Sequence, residues 1–379
     1  MSVISPLPAL LLLALAMATM WLLDRLAPLR LNTQRIGTLD GLRGYLAFGV
    51  FLHHSCIWYF YLKTGIWALP PSQLYTQFGQ VSVSLFFMIT AFLFTSKIIK
   101  FNETSGDWLR LYISRLTRIV PLWAVVTFLA AAIVMQIKHL GLDAENPPFL
   151  KNSASSGLLT AGVTWTLHFE WTFYFFLPWL ALLLKKKPPV IWLVLSAIFI
   201  ISNGPHRLFS FYTFTFLGGI AAAWLVRVQF LQTFARSRMG SLLALALLTW
   251  TITGFAGAYS GRPTLLLTVA FVLIAAGADL FGLLNLRLSC LLGEITYSVY
   301  LLHGLMLYLA FRFVLGFHIA SSLNAQQHWA VVGCVTPVLI SLSYLSFRYI
   351  ETPAIQITQA LTDRAKSLLC RLDTFRQYP

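Results

Sequence analysis

The chain has 379 residues, of which 58% are hydrophobic and only 10% charged, with a formal net charge of +15. Soluble domains carry about 25% charged residues, and a soluble core of this length could not hide so much apolar surface. Composition therefore excludes an ordinary soluble enzyme or nucleic-acid-binding domain and points to a bilayer protein, in which an excess of base sets topology.

Apolar stretches long enough to cross a hydrocarbon core of about 30 Å recur along the chain. They fall near residues 6–24, 42–62, 79–98, 118–137, 158–184, 189–203, 208–226, 241–258, 263–284, 291–315 and 328–350. The expected fold is all-α, a polytopic transmembrane helix bundle of about 11 spans: a 10-span core plus one extra N-terminal span. If the loop after the first span faces the cytoplasm, the alternate connections on that face hold 21 of the 27 Lys and Arg residues. The positive-inside rule then puts the N-terminus out and the C-terminus in. The first span has small residues at Ala14, Ala16 and Ala18 but no basic segment before it, so it reads as a retained anchor rather than a cleaved signal peptide. The chain divides into an anchor and cytoplasmic linker (1–37), a membrane core (38–353) and a cytoplasmic tail (354–379). Loops 97–117 and 138–157 and the tail are too short to form a core of their own. Cys56, Cys290, Cys334 and Cys370 are scattered without metal-site spacing, so no metal is expected.

Ionisable groups inside spans are costly and mark candidate sites. In LDGLRGYLAFGVFLHH, Arg43 and His54 are separated by about three helical turns, which places them on one face roughly 16 Å apart along the axis. Asp40 lies about 60° from Arg43, while His53 points about 80° aside. Glu170 and His168 fall in one long span, Glu294 and His303 in another, and Glu351 closes the last. In YISRLTRIVPLW, Arg115 and Arg118 share a face at an expected helix start, with Pro121 in its first turns. Paired guanidiniums suit bidentate phosphate binding, although topogenic charge would produce the same pattern.

Together these residues resemble the membrane-bound acyltransferase family 3, the bacterial surface-glycan O-acyltransferases. LDGLRGYLAFGVFLHH is similar to the family's opening Arg…His motif, GQVSVSLFFMITAF to its Gly…Val…Phe-Phe…Ser-Gly-Phe segment and SRLTRIVPLW to Arg-x-x-Arg-x-x-Pro. TWTLHFEWTFYFFLP follows Trp-x-Leu-x-x-Glu-x-x-Phe-Tyr through Trp165, Leu167, Glu170, Phe173 and Tyr174; LGEITYSVYLLHG and YIETP complete the set. The departures are Thr90-Ala91 in place of Ser-Gly, Thr296 in place of Ser, and His168-Phe169 in place of Ser-Val. The fused C-terminal hydrolase-like domain of some members has no counterpart in this sequence.

The resemblance implies transfer of an acyl group, most simply acetyl, from cytoplasmic acyl-CoA to a hydroxyl of a cell-surface or periplasmic glycan such as lipopolysaccharide. The expected setting is the bacterial inner membrane, multi-pass among its lipids. Acetyl-CoA is then a donor substrate rather than a bound cofactor, and nucleic acid is not a partner. Arg115, Arg118 and Arg43 are the expected acyl-CoA ligands. His54 is the general base or the nucleophile, with Asp40 orienting Arg43, and Glu170 orienting a histidine or binding acceptor hydroxyls. Trp165, Tyr174, Tyr300, His303 and Glu351 are substrate-contacting or structural polar groups. Direct transfer and hand-off to a separate periplasmic transferase are both open. The rival reading is a transporter or flippase using the same intramembrane His, Glu and Arg.

Overall fold

The computed structural model describes residues 2–29, 31, 36–100, 105–141, 156–203 and 211–377. Among them every regular element is helical, as a bilayer core requires of segments that must satisfy their own backbone groups. In chain order the α-helices are α1 (Leu7–Leu26), α2 (Gly37–Thr64), α3 (Gln73–Ile99), α4 (Ser105–His139), α5 (Ser156–Leu159) and α6 (Thr164–Leu183). There follow α7 (Val190–Asn203), α8 (Phe211–Leu225), α9 (Gln229–Ala235), α10 (Arg238–Gly254), α11 (Gly261–Ala276) and α12 (Arg287–Glu294). The chain continues through α13 (Thr296–Leu309), α14 (Phe317–Ser322), α15 (Ala325–Ser346), α16 (Thr352–Gln356) and α17 (Thr358–Gln377).

Among the described residues, five helical runs are long and apolar enough to cross a membrane: Leu7–Leu26, Gln73–Ile99, Gly106–His139, Thr296–Val314 and Ala325–Leu368. A sixth is added if Phe211–Leu225 and Gln229–Ala235, bent by 107°, are one span. Large apolar side chains such as Leu10, Phe128, Ile198 and Leu265 are exposed on the outside of the bundle, as lipid contact would have them.

Helix positions follow the apolar pattern, but several boundaries differ from the sequence expectation. Arg115 and Arg118 do not open a helix at the membrane surface. They lie in the first half of a 35-residue helix, and Pro121 is interior to it. Most of the expected 97–117 loop is therefore helical: residues 105–117 form the more polar start of α4, which polar spacing disguised as a connection. The stretch expected to reach 284 stops at Ala276, where Gly277 turns with φ +122°. Positive φ at Ala161 and Gly162 separates α5 from α6. The tail is helical too, and Thr358 at the start of α17 meets Thr117 of α4, Oγ1 to Oγ1, at 2.8 Å. Most of the 138–157 connection lies outside the described residues.

α2 is the central element. It packs on α3, α12 and α13, and its approach to the α12 region depends on missing side chains. A Cβ added to Gly41 would lie 1.9 Å from the Leu284 carbonyl oxygen, and one on Gly293 would lie 1.9 Å from that of Asp40. Small residues are what allow helix backbones to approach this closely in a bilayer. The contact fixes the turn that carries Asp40 and Arg43.

α1 is more than a loose anchor. The Trp329 indole donates to the Val3 carbonyl at 3.0 Å and the Tyr75 hydroxyl to that of Ser5 at 2.9 Å. At its other end Arg287 donates to both carboxylate oxygens of Asp24, at 2.7 and 2.9 Å, and Tyr344 donates to the Ala27 carbonyl. α1 is thus tied to the bundle at both ends.

Gly293→Val should lower the thermal unfolding temperature in detergent by several degrees, because the Asp40 carbonyl cannot yield without moving α2. Gly333→Ala, where the nearest atom to an added Cβ is a Leu12 methyl at 3.8 Å, should change it little. Equal unfolding temperatures for the two variants would refute the close-packing account.

Candidate active site

A cavity of about 290 Å³ lies between α2, α3, α4, α6 and α13. Its cations are Arg43, Lys97, Arg115 and Arg118, and its other polar lining includes Thr90, Glu170, Tyr174, Tyr297 and Tyr300. Five helices thus converge their charged or hydroxyl-bearing turns on one space, with Phe86, Phe87 and Leu93 supplying an apolar side.

The three arginines have identifiable neighbours. The Arg115 guanidinium lies over the Phe94 ring, 4.8 Å from its centroid, a favourable cation–π placement. Its Nε is buried without a hydrogen-bond partner. Arg43 sits 3.6 Å from Asp40, one turn earlier on α2. The carboxylate of Glu170 accepts from the Tyr174 hydroxyl at 3.1 Å, and Arg115, Arg43 and Arg118 are all close enough to act on it electrostatically. Arg118 and Arg43 act likewise on Glu351. Glu351 is buried and accepts from the Ser298 hydroxyl, while its Oε2 has no hydrogen-bond partner. Two further bonds brace the walls: Tyr112 donates to the Tyr174 carbonyl at 3.0 Å, and Tyr297 donates to that of Ile119 at 2.7 Å.

The second cluster is a histidine pair. His54 Nδ1 lies 3.0 Å from the Val50 carbonyl oxygen and 3.0 Å from His303 Nε2. His303 Nδ1 lies 3.2 Å from the Val299 carbonyl oxygen. A carbonyl only accepts, so these contacts fit a neutral pair in which each Nδ1 carries its proton. His303 Nε2 is then an acceptor for His54 Nδ1–H, and the lone pair of His54 lies on Nε2. Trp67 stacks on the far side of His54, with centroids 6.2 Å apart. His53 turns away to α3, where its Nδ1 meets the Tyr75 carbonyl oxygen at 2.7 Å.

His54 does not line the cavity. Tyr300 does, and its ring centroid is 6.1 Å from that of His303. The Tyr300 hydroxyl meets that of Thr166 at 2.8 Å and donates to the Val163 carbonyl at 3.3 Å. Tyr300 therefore stands between the cationic cavity and the histidine pair.

Most of the residues singled out in the sequence come together here. Trp165 does not line the cavity: it is 38% exposed and packs on Phe87, Phe169 and Tyr212. Glu170 pairs with Tyr174, not with a histidine. Lys97, Tyr297 and Trp67 were not anticipated. Lys97 was indistinguishable from topogenic charge, Tyr297 from other aromatics of its span, and Trp67 from a loop residue. Among the departures from the family pattern, Ala91 is fully buried opposite Gly219, which leaves room for its methyl group. Thr296 donates to the Gly293 carbonyl at 2.7 Å and lines the cavity.

A family model described as an acyltransferase domain, of acyltransferase family 3, matches residues 36–348. No curated protein and no solved structure matches the chain.

Glu351→Gln keeps an oxygen to accept from Ser298 but removes a negative charge beside Arg118 and Arg43. It should tighten binding of pyrophosphate by roughly threefold at low salt, measured by calorimetry in detergent. An unchanged affinity would mean that an anion in the cavity does not sense these cations.

Proposed function

Since the chain belongs to acyltransferase family 3, we propose that it is a membrane O-acyltransferase carrying an acyl group, most simply acetyl, from acyl-CoA to a hydroxyl of a cell-surface or periplasmic glycan. The observation that carries this reading is the pairing of a four-cation cavity with a histidine dyad across Tyr300. Guanidiniums bind phosphate by charge-assisted, often bidentate hydrogen bonds, so Arg115, Arg118 and Arg43 suit a phosphorylated thioester donor. Asp40 orients Arg43, and Glu170 fixes the Tyr174 hydroxyl at the wall.

In the proposed reaction the acceptor hydroxyl oxygen bonds to the thioester carbonyl carbon while its proton passes to His54 Nε2. The carbon–sulfur bond breaks, and the same proton goes to the departing sulfur, leaving an ester and free CoA thiol. His303 acts through His54, fixing the tautomer that exposes Nε2. To reach that nitrogen the thioester passes Tyr300.

The reading extends to topology: eleven crossings with the N-terminus outside and the C-terminus inside, in a bacterial inner membrane. The distribution of 21 of 27 basic residues to one set of connections supports it. Donor then approaches from the cytoplasm and acceptor from the far side.

His54→Ala, with its fold verified, should lower acyl transfer from labelled acetyl-CoA by at least about 100-fold, the scale of a lost general base. His53→Gln should lose far less, since His53 faces α3. Full activity in His54→Ala would remove that residue from the mechanism.

A further inference from the structure

A second cleft, of about 520 Å³, opens beside the cationic cavity. It is walled by the end of α3, the start of α4 and the α16–α17 turn, with Lys97, Lys100 and Arg110 as its cations. Lys97 also lines the inner cavity, so the two spaces share a wall. Asp107 is its one acidic lining residue, and it acts electrostatically on Lys97. Ser114, Gln356 and Thr358 add neutral hydrogen-bonding groups. The tail that completes the cleft is held in place by the contact between Thr358 and Thr117 and by Lys366, whose side chain lies against Gly106 at the start of α4.

Size separates the roles of the two spaces. Drug-sized ligands occupy pockets of about 300–1,000 Å³, and an acyl-CoA is larger than most of them. The inner cavity, at about 290 Å³, has room for the acylated pantetheine arm and the phosphate that carries it, which meets the arginines, but not for the 3′-phosphorylated adenosine as well. The nucleotide end must lie outside it, where the adjoining space is cationic and offers amide and hydroxyl partners.

We propose that the outer cleft formed by Lys97, Lys100, Arg110 and the C-terminal α16–α17 turn binds the phosphorylated nucleotide end of the donor, making the tail helix part of the donor site. This inference rests on the acyl-CoA reading given above. Lys97, common to both spaces, would mark the passage from nucleotide to pantetheine.

The test uses the full chain in detergent without added phospholipid, with coenzyme A and adenosine 3′,5′-bisphosphate as calorimetric ligands. The double variant Lys100→Gln, Arg110→Gln alters exposed side chains and should weaken both ligands by about tenfold, as expected for lost charge-assisted contacts. Arg118→Gln, in the inner cavity, should weaken coenzyme A while changing the bisphosphate by less than about twofold. Wild-type affinities in the double variant would overturn the outer site and leave the acyl-CoA reading standing. A wild-type chain that binds no coenzyme A would overturn both. Binding of phosphatidylglycerol micelles that is lost in the double variant, with no response to the bisphosphate, would overturn the proposal in favour of a lipid headgroup.

Discussion

Charge placed inside an apolar bundle must be neutralised or hydrogen-bonded there, and the rest of this structure is arranged around that constraint. Arg43, Lys97, Arg115 and Arg118 face one internal space, because facing lipid would leave them unsolvated. Around them stand Asp40 at 3.6 Å from Arg43, the ring of Phe94 under Arg115, and Glu170 and Glu351 within electrostatic reach of Arg43 and Arg118. The carboxylates offset the cations only in part. The cavity is left with a net positive lining, which favours an anionic ligand.

The backbone makes that arrangement rigid. Gly41 and Gly293 allow α2 to meet the α12 region at backbone contact distance, so the turn bearing Asp40 and Arg43 has little freedom to move. α1 adds a clasp at both of its ends through the contacts of Val3, Ser5 and Asp24. The family match begins at residue 36, yet α1 is joined to the matched core by specific hydrogen bonds rather than by lipid contact alone.

Much of the site was legible in the sequence because helices convert spacing into facing. Three turns between Arg43 and His54 put both on the side of α2 that meets α13, and His53 fell on the α3 side as its angle required. Arg115 and Arg118, three apart, both reached the cavity. The start of α4 was not legible, because a polar amphipathic turn and a connecting loop have the same composition. The tertiary partners of each polar group were not legible either. Spacing puts Glu170 and Tyr174, four apart, on one face of α6 and His168 off it, but no local signal brings Trp67 to His54.

The separation of the histidine pair from the cationic cavity has a chemical logic of its own. A base that shared the cavity with four cations would have its protonated form disfavoured by like charge. Tyr300, anchored through Thr166 and the Val163 carbonyl, keeps the two environments apart while lying against both. On the proposed reading, phosphate recognition and proton transfer occupy successive stations along one path across the bundle. Only the thioester needs to pass between them, and the anionic remainder of the donor never has to enter the half of the bundle where the acceptor would be bound.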